Sequence, residues 1–216
     1  MKVLDRVLRR WRYRVVAPYI PPHSVLLDIG GYDGSLFHYL GDRIAKGICL
    51  DPLCPKRTVG RVQFVQGSAC SQLPFPNASF DVVTLLAVLE HVEAKETLAA
   101  ETFRVLRNGG RLVATVPHPA VDDILKILVT LKLADGMALE EHHHFDVRGV
   151  TPLFTRHGFV LTVHRPFQGG LNHFFCFQKP GEPLLSFRWN WNFPSYALAI
   201  DDGGKRNEQK TQKLQS

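Results

Sequence analysis

Residues 24–34 read Ser24-Val25-Leu26-Leu27-Asp28-Ile29-Gly30-Gly31-Tyr32-Asp33-Gly34. The first six are a nearly continuous apolar run, so Ser24–Ile29 is expected as a strand buried on both faces. Three glycines within five positions then make a tight turn, and Ser35–Leu40 opens a helix. Glycine lets the backbone approach a ligand closely, and the following helix offers free N–H groups. This strand, turn and helix begin a βαβ series, and the rest of the chain continues it.

Downstream, Gly47–Asp51, Val62–Val65, Phe80–Leu86 and Arg111–Val116 read as four further short apolar strands. Between the last two, Lys95–Arg107 reads as a helix with Leu98, Thr102, Val105 and Leu106 inward, stopped by Asn108-Gly109-Gly110. Val121–Ala134 is a strongly apolar helix. Strands that alternate with helices predict a doubly wound α/β fold around a mostly parallel sheet. Phe159–Val163 and Asn172–Phe177 are too close for a parallel return, so the sheet should end in an antiparallel C-terminal hairpin. Upstream, Met1–Tyr19 is basic, with Val3, Leu4, Val7, Leu8 and Trp11 at helical spacing, and Pro21-Pro22 ends it. The expected organisation is an N-terminal amphipathic helix (1–20) capping the sheet, a main domain (21–180), an aromatic strap (181–202) and a disordered polar tail (203–216).

The chain of 216 residues carries a net charge of +6, much of it at the two ends, so no nucleic-acid-binding face is indicated. No run of 18 apolar residues predicts a membrane-spanning helix, and arginines at 9, 10, 12 and 14 interrupt any secretory signal. The four cysteines form no C-x-x-C pair, which suits a reduced, cytoplasmic setting.

The second strand ends at Asp51, where an acid can accept hydrogen bonds from both hydroxyls of a ribose. The dinucleotide pattern G-x-G-x-x-G fails, because Tyr32 and Ser35 stand where glycines belong. Instead Asp28 sits inside the strand end. A carboxylate there repels a pyrophosphate and suits a cationic ligand.

Read together, these segments resemble the class I S-adenosylmethionine-dependent methyltransferases of the small-molecule type. Asp28-x-Gly30-x-x-x-Gly34 resembles the family's D-x-G-x-G-x-G. Asp51 matches its ribose-binding acid. Leu73-Pro74-Phe75 with Ser79-Phe80-Asp81-Val82-Val83, Leu89-Glu90-His91-Val92, Phe103–Leu112 and His157-Gly158-Phe159 follow in family order across roughly residues 20–180. The resemblance implies a seven-stranded sheet and S-adenosylmethionine as cofactor. Asp28, Gly30, Gly31, Tyr32 and Gly34 would hold its methionine part, Asp51 its ribose, and Pro52, Ser68 and Ala69 its adenine. Leu86 and Ala87 would line the site. Two positions depart from the family: Tyr32 replaces a glycine, and Ser68 replaces a frequent acid.

Three histidines are candidates for the acceptor side. His91 would sit near the cofactor, or else would anchor a helix start together with Glu90. His118 follows the fifth strand between Pro117 and Pro119. His143, within His142-His143-His144, would face the acceptor pocket as a histidine of that segment often does in the family; a solvated loop is the plainer alternative. Adjacent histidines lack metal-ligand spacing, so no metal is expected. The apolar helix 121–133 and Trp189, Trp191 and Phe193 tilt the reading toward an apolar or lipid-like small-molecule acceptor. Each also reads as plain core or strap packing. The N-terminal helix is expected to cap the cofactor entrance, with peripheral contact to an anionic membrane as its alternative role. The rival functions are a non-catalytic cofactor-binding module and a nucleotide-dependent oxidoreductase.

Overall fold

The computed structural model describes residues 3–118 and 146–181. The expected helix 121–134, His142–His144, the aromatic strap and the polar tail lie outside the described residues. Helix α1 spans Val3–Val16; β1, Ser24–Ile29; α2, Ser35–Leu40; β2, Ile44–Asp51; β3, Arg57–Val59; and β4, Val62–Gln66. Then come β5, Phe80–Leu86; α3, Lys95–Val105; β6, Leu106–Pro117; α4, Val150–Arg156; β7, Val160–Phe167; and β8, Asn172–Gln178.

The strands form one sheet in the order β3-β4-β2-β1-β5-β6-β8-β7. From β4 to β6 all neighbours are parallel, while β8 runs antiparallel to both β6 and β7. The parallel core and the closing hairpin are as the sequence predicts. The sheet has eight strands rather than seven, because three exposed residues, Arg57–Val59, pair antiparallel with the β4 edge. Such a short, polar segment carries no strand signal.

The chain leaves β1 toward β2 on one side and returns to β5 on the other. Strand order therefore reverses between β1 and β5, and the crevice beyond their carboxyl ends is the place where such sheets bind ligands.

The parallel strands are buried on both faces, which explains their unbroken apolar runs. On one face Leu27, Ile29, Val83 and Leu85 pack with Leu98 and Val105 of α3, Leu153 and Phe154 of α4, and Phe175 and Phe177 of β8. On the other, Leu26, Val82, Val113 and Phe174 pack with Val16, Ile20, Leu36 and Phe37.

One local expectation is corrected. Helix α3 ends at Val105, with Leu106 already extended, and not at Asn108-Gly109-Gly110. That trio is a bulge in β6, where Phe80 pairs with Leu106 but Val82 pairs with Arg111, and Gly109 takes φ +76° there. Lys179 Nζ donates to the carbonyls of Phe103 and Leu106 at 2.8 Å each and so caps the end of α3.

On α1, Val7 and Trp11 are exposed. The inward face instead carries Arg9, Tyr13 and Val16, because what it meets is a polar loop. Phe154 is fully buried against Phe159 and Phe177. Phe154→Ala should therefore lower unfolding stability by about 3–5 kcal/mol, measured by urea denaturation.

Candidate active site

The glycine turn is built on a buried acid. Asp28, in the last turn of β1, accepts a hydrogen bond from Thr84 Oγ1 of β5 at 2.6 Å. Burial pushes its carboxyl up to about 7 against an ordinary 3.8, which the Thr84 bond opposes and the nearby Asp33 and Asp51 reinforce. A Cβ on Gly31 would lie 2.3 Å from Asp28 Oδ2 and 2.8 Å from Cys49 Sγ. One on Gly30 would lie 2.5 Å from Val88 Cγ2, and one on Gly34 2.6 Å from Phe64 Cζ. The loop thus lies flat across the strand ends, and Gly30 and Gly34 take positive φ.

Asp51, at the end of β2, is buried. Its Oδ2 accepts from Tyr32 N at 3.2 Å and its Oδ1 from Leu53 N at 2.8 Å. Each oxygen keeps a further lone pair for a ligand hydroxyl. Tyr32 itself adopts φ +40° with its side chain 57% exposed, so the residue that replaces the family glycine keeps the glycine-like backbone and turns its ring to solvent. Left-handed φ at a non-glycine residue stores on the order of 1 kcal/mol.

The other expected residues take the following places. Pro52 is exposed beside Asp51, its carbonyl accepting from Gln66 Nε2. Gly67 N donates to the Asp51 carbonyl at 3.2 Å, which brings the β4 end, with exposed Ser68 and half-buried Ala69, alongside. Ser68 Oγ accepts from Cys70 N at 3.1 Å. Leu86 and Ala87 end β5 half-buried; Ala87 takes φ +58° and its N–H donates to Thr115 O. His91 is exposed in the turn after β5 and its N–H donates to Val88 O. His143 lies outside the described residues.

Helix α1 covers the glycine-turn end of this crevice. Arg9 Nη1 donates to Asp33 Oδ2 at 2.7 Å and to Ser35 Oγ at 3.0 Å, and Tyr13 OH shares a 2.6 Å hydrogen bond with Ser35 Oγ. Arg12 faces the buried Glu90 carboxylate; burial lowers its proton affinity and Glu90 opposes that. Arg12 Nε is buried without a hydrogen-bond partner among the described residues. Sequence reading missed Arg9, Arg12 and Tyr13, because their role depends on which way the helix faces.

His118 does not join this group. It stands at the end of β6, one strand further out, and lines a cleft of about 370 Å³ with Asp146, Arg148, His164, His173 and Phe175. The rings of His118 and His173 stack at 5.9 Å, and His164 Nε2 lies 3.1 Å from His173 Nδ1. His164 and His173 were also missed, since only the β7–β8 pairing unites them. Among the described residues no cluster of histidine, cysteine or carboxylate side chains could hold a metal ion.

A doubly wound sheet with a glycine turn and two buried strand-end acids at its switch point defines a nucleoside-binding α/β domain. Residues 27–114 match the family described as a methyltransferase domain. The fold is that of the class I S-adenosylmethionine-dependent methyltransferases. Over 121 residues the chain is 35% identical to the ubiquinone/menaquinone biosynthesis C-methyltransferase UbiE of Ectopseudomonas mendocina, covering 49% of this chain and 46% of that protein. Over 137 residues it is 32% identical to UbiE of Vibrio campbellii, covering 56% and 52%. The chain thus spans about half the length of the curated relatives it matches. A solved S-adenosylmethionine-dependent methyltransferase of Methanosarcina mazei aligns with a TM-score of 0.58 at 21% identity, over 78% of this chain and 98% of that one. The putative methyltransferase in complex with Trm112 from Haloferax volcanii gives 0.62 at 13%, over 81% and 92%.

The crevice fits this cofactor: Gly30, Gly31 and Gly34 leave no room for a Cβ, Asp51 has free lone pairs, and Asp28 places an acid at the end of the central strand. The acid also sets a pH dependence. Its folded-state pKa is raised, so the stability it confers is full below pH 4 and is lost as the pH rises through about 7. Asp28→Asn should remove that slope. Thermal melts of the ligand-free protein should show the variant more stable than wild type at pH 8, by at most about 4 kcal/mol, and the gap should close toward pH 4.

Proposed function

We propose that this chain transfers the methyl group of S-adenosylmethionine to a small, apolar, ring-bearing acceptor. The observation that carries the reading is the pairing of the flat glycine turn with the doubly anchored Asp51 carboxylate, next to a separate cleft at the end of β6. The cofactor supplies a methyl group on a sulfonium, with a good leaving group, so the protein's task is mainly to position the reactants. Asp51 accepts from the ribose hydroxyls, Pro52, Ser68 and Ala69 flank the adenine, and the loop from Asp28 to Gly34 carries the methionine part. Arg12, buried with an unpartnered Nε, is the partner offered to the methionine carboxylate. Leu86 and Ala87 separate the cofactor crevice from the acceptor cleft, where His118 waits.

An apolar acceptor is supported by the C-methyltransferases of quinone biosynthesis to which the chain is similar. No described helix is long and apolar enough to cross a membrane. Contact with an anionic bilayer, where such acceptors reside, is supported by α1, whose exposed Val7 and Trp11 are flanked by exposed Arg6, Arg10 and Arg14. Four free cysteines suit a reducing, cytoplasmic compartment.

Mass-spectrometric detection of methyl transfer to a panel of polar acceptors and of substituted hydroquinols tests the reading, and activity confined to polar acceptors contradicts it. Asp51→Ala should weaken cofactor binding by roughly 1.5–3 kcal/mol, about 10- to 150-fold, by calorimetry. Trp11→Ala should reduce co-sedimentation with vesicles containing anionic lipid while leaving transfer to a water-soluble hydroquinol unchanged.

A further inference from the structure

The acceptor cleft holds two imidazoles in direct contact. His164 Nε2 and His173 Nδ1 are 3.1 Å apart, on adjacent positions of the β7–β8 hairpin. His164 lies flat on Phe175, with centroids 4.2 Å apart and 7° between the planes, and His173 is stacked against His118. Both rings are therefore held in orientation by their neighbours before any ligand arrives. The charged and titratable groups around them are His118 from the end of β6, and Asp146 and Arg148 from the turn before α4. Asp146 Oδ1 also accepts from the backbone N–H of Arg148.

We propose that His173 is the proton acceptor of the transfer reaction, backed by His164, and that the acceptor is a molecule that gives up a proton as it is methylated, such as a hydroquinol, from its O–H or from the ring carbon once the methyl group has added. This rests on the methyltransferase reading above. In the productive tautomer His173 Nδ1–H donates to His164 Nε2, which leaves the lone pair of His173 Nε2 for the cleft. The proton lost by the acceptor passes to that nitrogen. The new bond forms at the acceptor atom as the carbon–sulfur bond breaks, and its electron pair stays on sulfur. A neutral acceptor and a sulfonium become a methylated neutral acceptor, a thioether and an imidazolium, so charge and atoms balance. The imidazolium is stabilised by its hydrogen bond to His164. Burial, with His164 and His118 adding to it, lowers the proton affinity of His173.

The test has two readouts. Methyl transfer from S-adenosylmethionine to a 1,4-naphthoquinol with a vacant ring position is followed against pH for wild type, His173→Asn and His164→Asn, with melting temperatures confirming folding. Histidine Cε1–H resonances are titrated by NMR without any ligand. The proposal expects a rate that falls on the acid side in wild type, a loss of kcat of about a hundredfold or more with that limb abolished in His173→Asn, and an unchanged KM for the cofactor. It expects a shifted limb in His164→Asn, which carries the test alone if His173→Asn does not fold. By NMR the two imidazoles should titrate in coupled steps that become a single step in either variant. Variants within threefold of an active wild type, or independent titration of the two rings, overturn the proposal and leave the methyltransferase reading standing. A wild type that binds S-adenosylmethionine but methylates no hydroquinol overturns the acceptor reading, and this proposal with it.

Discussion

The hydrogen bond between Asp28 and Thr84 is the constraint on which the rest of the site depends. It places a carboxyl group in the middle of a sheet, at the end of the central strand, with β2 on one side and β5 on the other. A buried acid is costly and must be either satisfied or neutralised. Thr84 satisfies one oxygen. The other lies where any Cβ on Gly31 would have to be, so that position of the turn can only be glycine. That backbone in turn presents Tyr32 N to Asp51, which links the ends of β1 and β2 into one binding edge. One buried carboxyl thus determines the turn, the space above it and the orientation of the second acid.

The same edge explains the N-terminal helix. A helix that packs on a core buries its apolar stripe. Here the element beneath is a polar loop, so α1 buries the side that can bond to it: Arg9 to Asp33, Tyr13 to Ser35, Arg12 toward Glu90. Gln168, in the β7–β8 turn, holds the helix from the far side by donating to Leu8 O at 2.8 Å. The cost is an exposed Val7 and Trp11, and the gain is a basic wall beside the glycine turn. Charge is distributed along the crevice accordingly, with Asp28 and Asp51 at the strand ends and Arg9 and Arg12 on the helix.

The central strands were legible because parallel strands covered on both faces have no polar alternation to mimic a helix or loop. The cofactor edge was legible for a related reason: glycines crowded after a strand, and an acid at the next strand end, have few other uses. What stayed hidden depends on long-range pairing or facing. Arg57–Val59 is three exposed residues that become a strand only because β4 lies beside them. The Asn108-Gly109-Gly110 trio has the composition of a helix stop but serves as a bulge, since the register of β6 on β5 had to be recovered. His164 and His173 are separated by a turn and look like ordinary strand residues; only the antiparallel register puts one ring against the other.

The central claim, that the crevice beyond the carboxyl ends of β1 and its neighbours is an S-adenosylmethionine site, is tested most directly by calorimetric titration of the purified protein. S-Adenosylmethionine, S-adenosylhomocysteine and NADH would be compared at one pH. The account predicts micromolar binding of the first two and none of NADH. Binding of NADH with no response to either sulfur compound would contradict it.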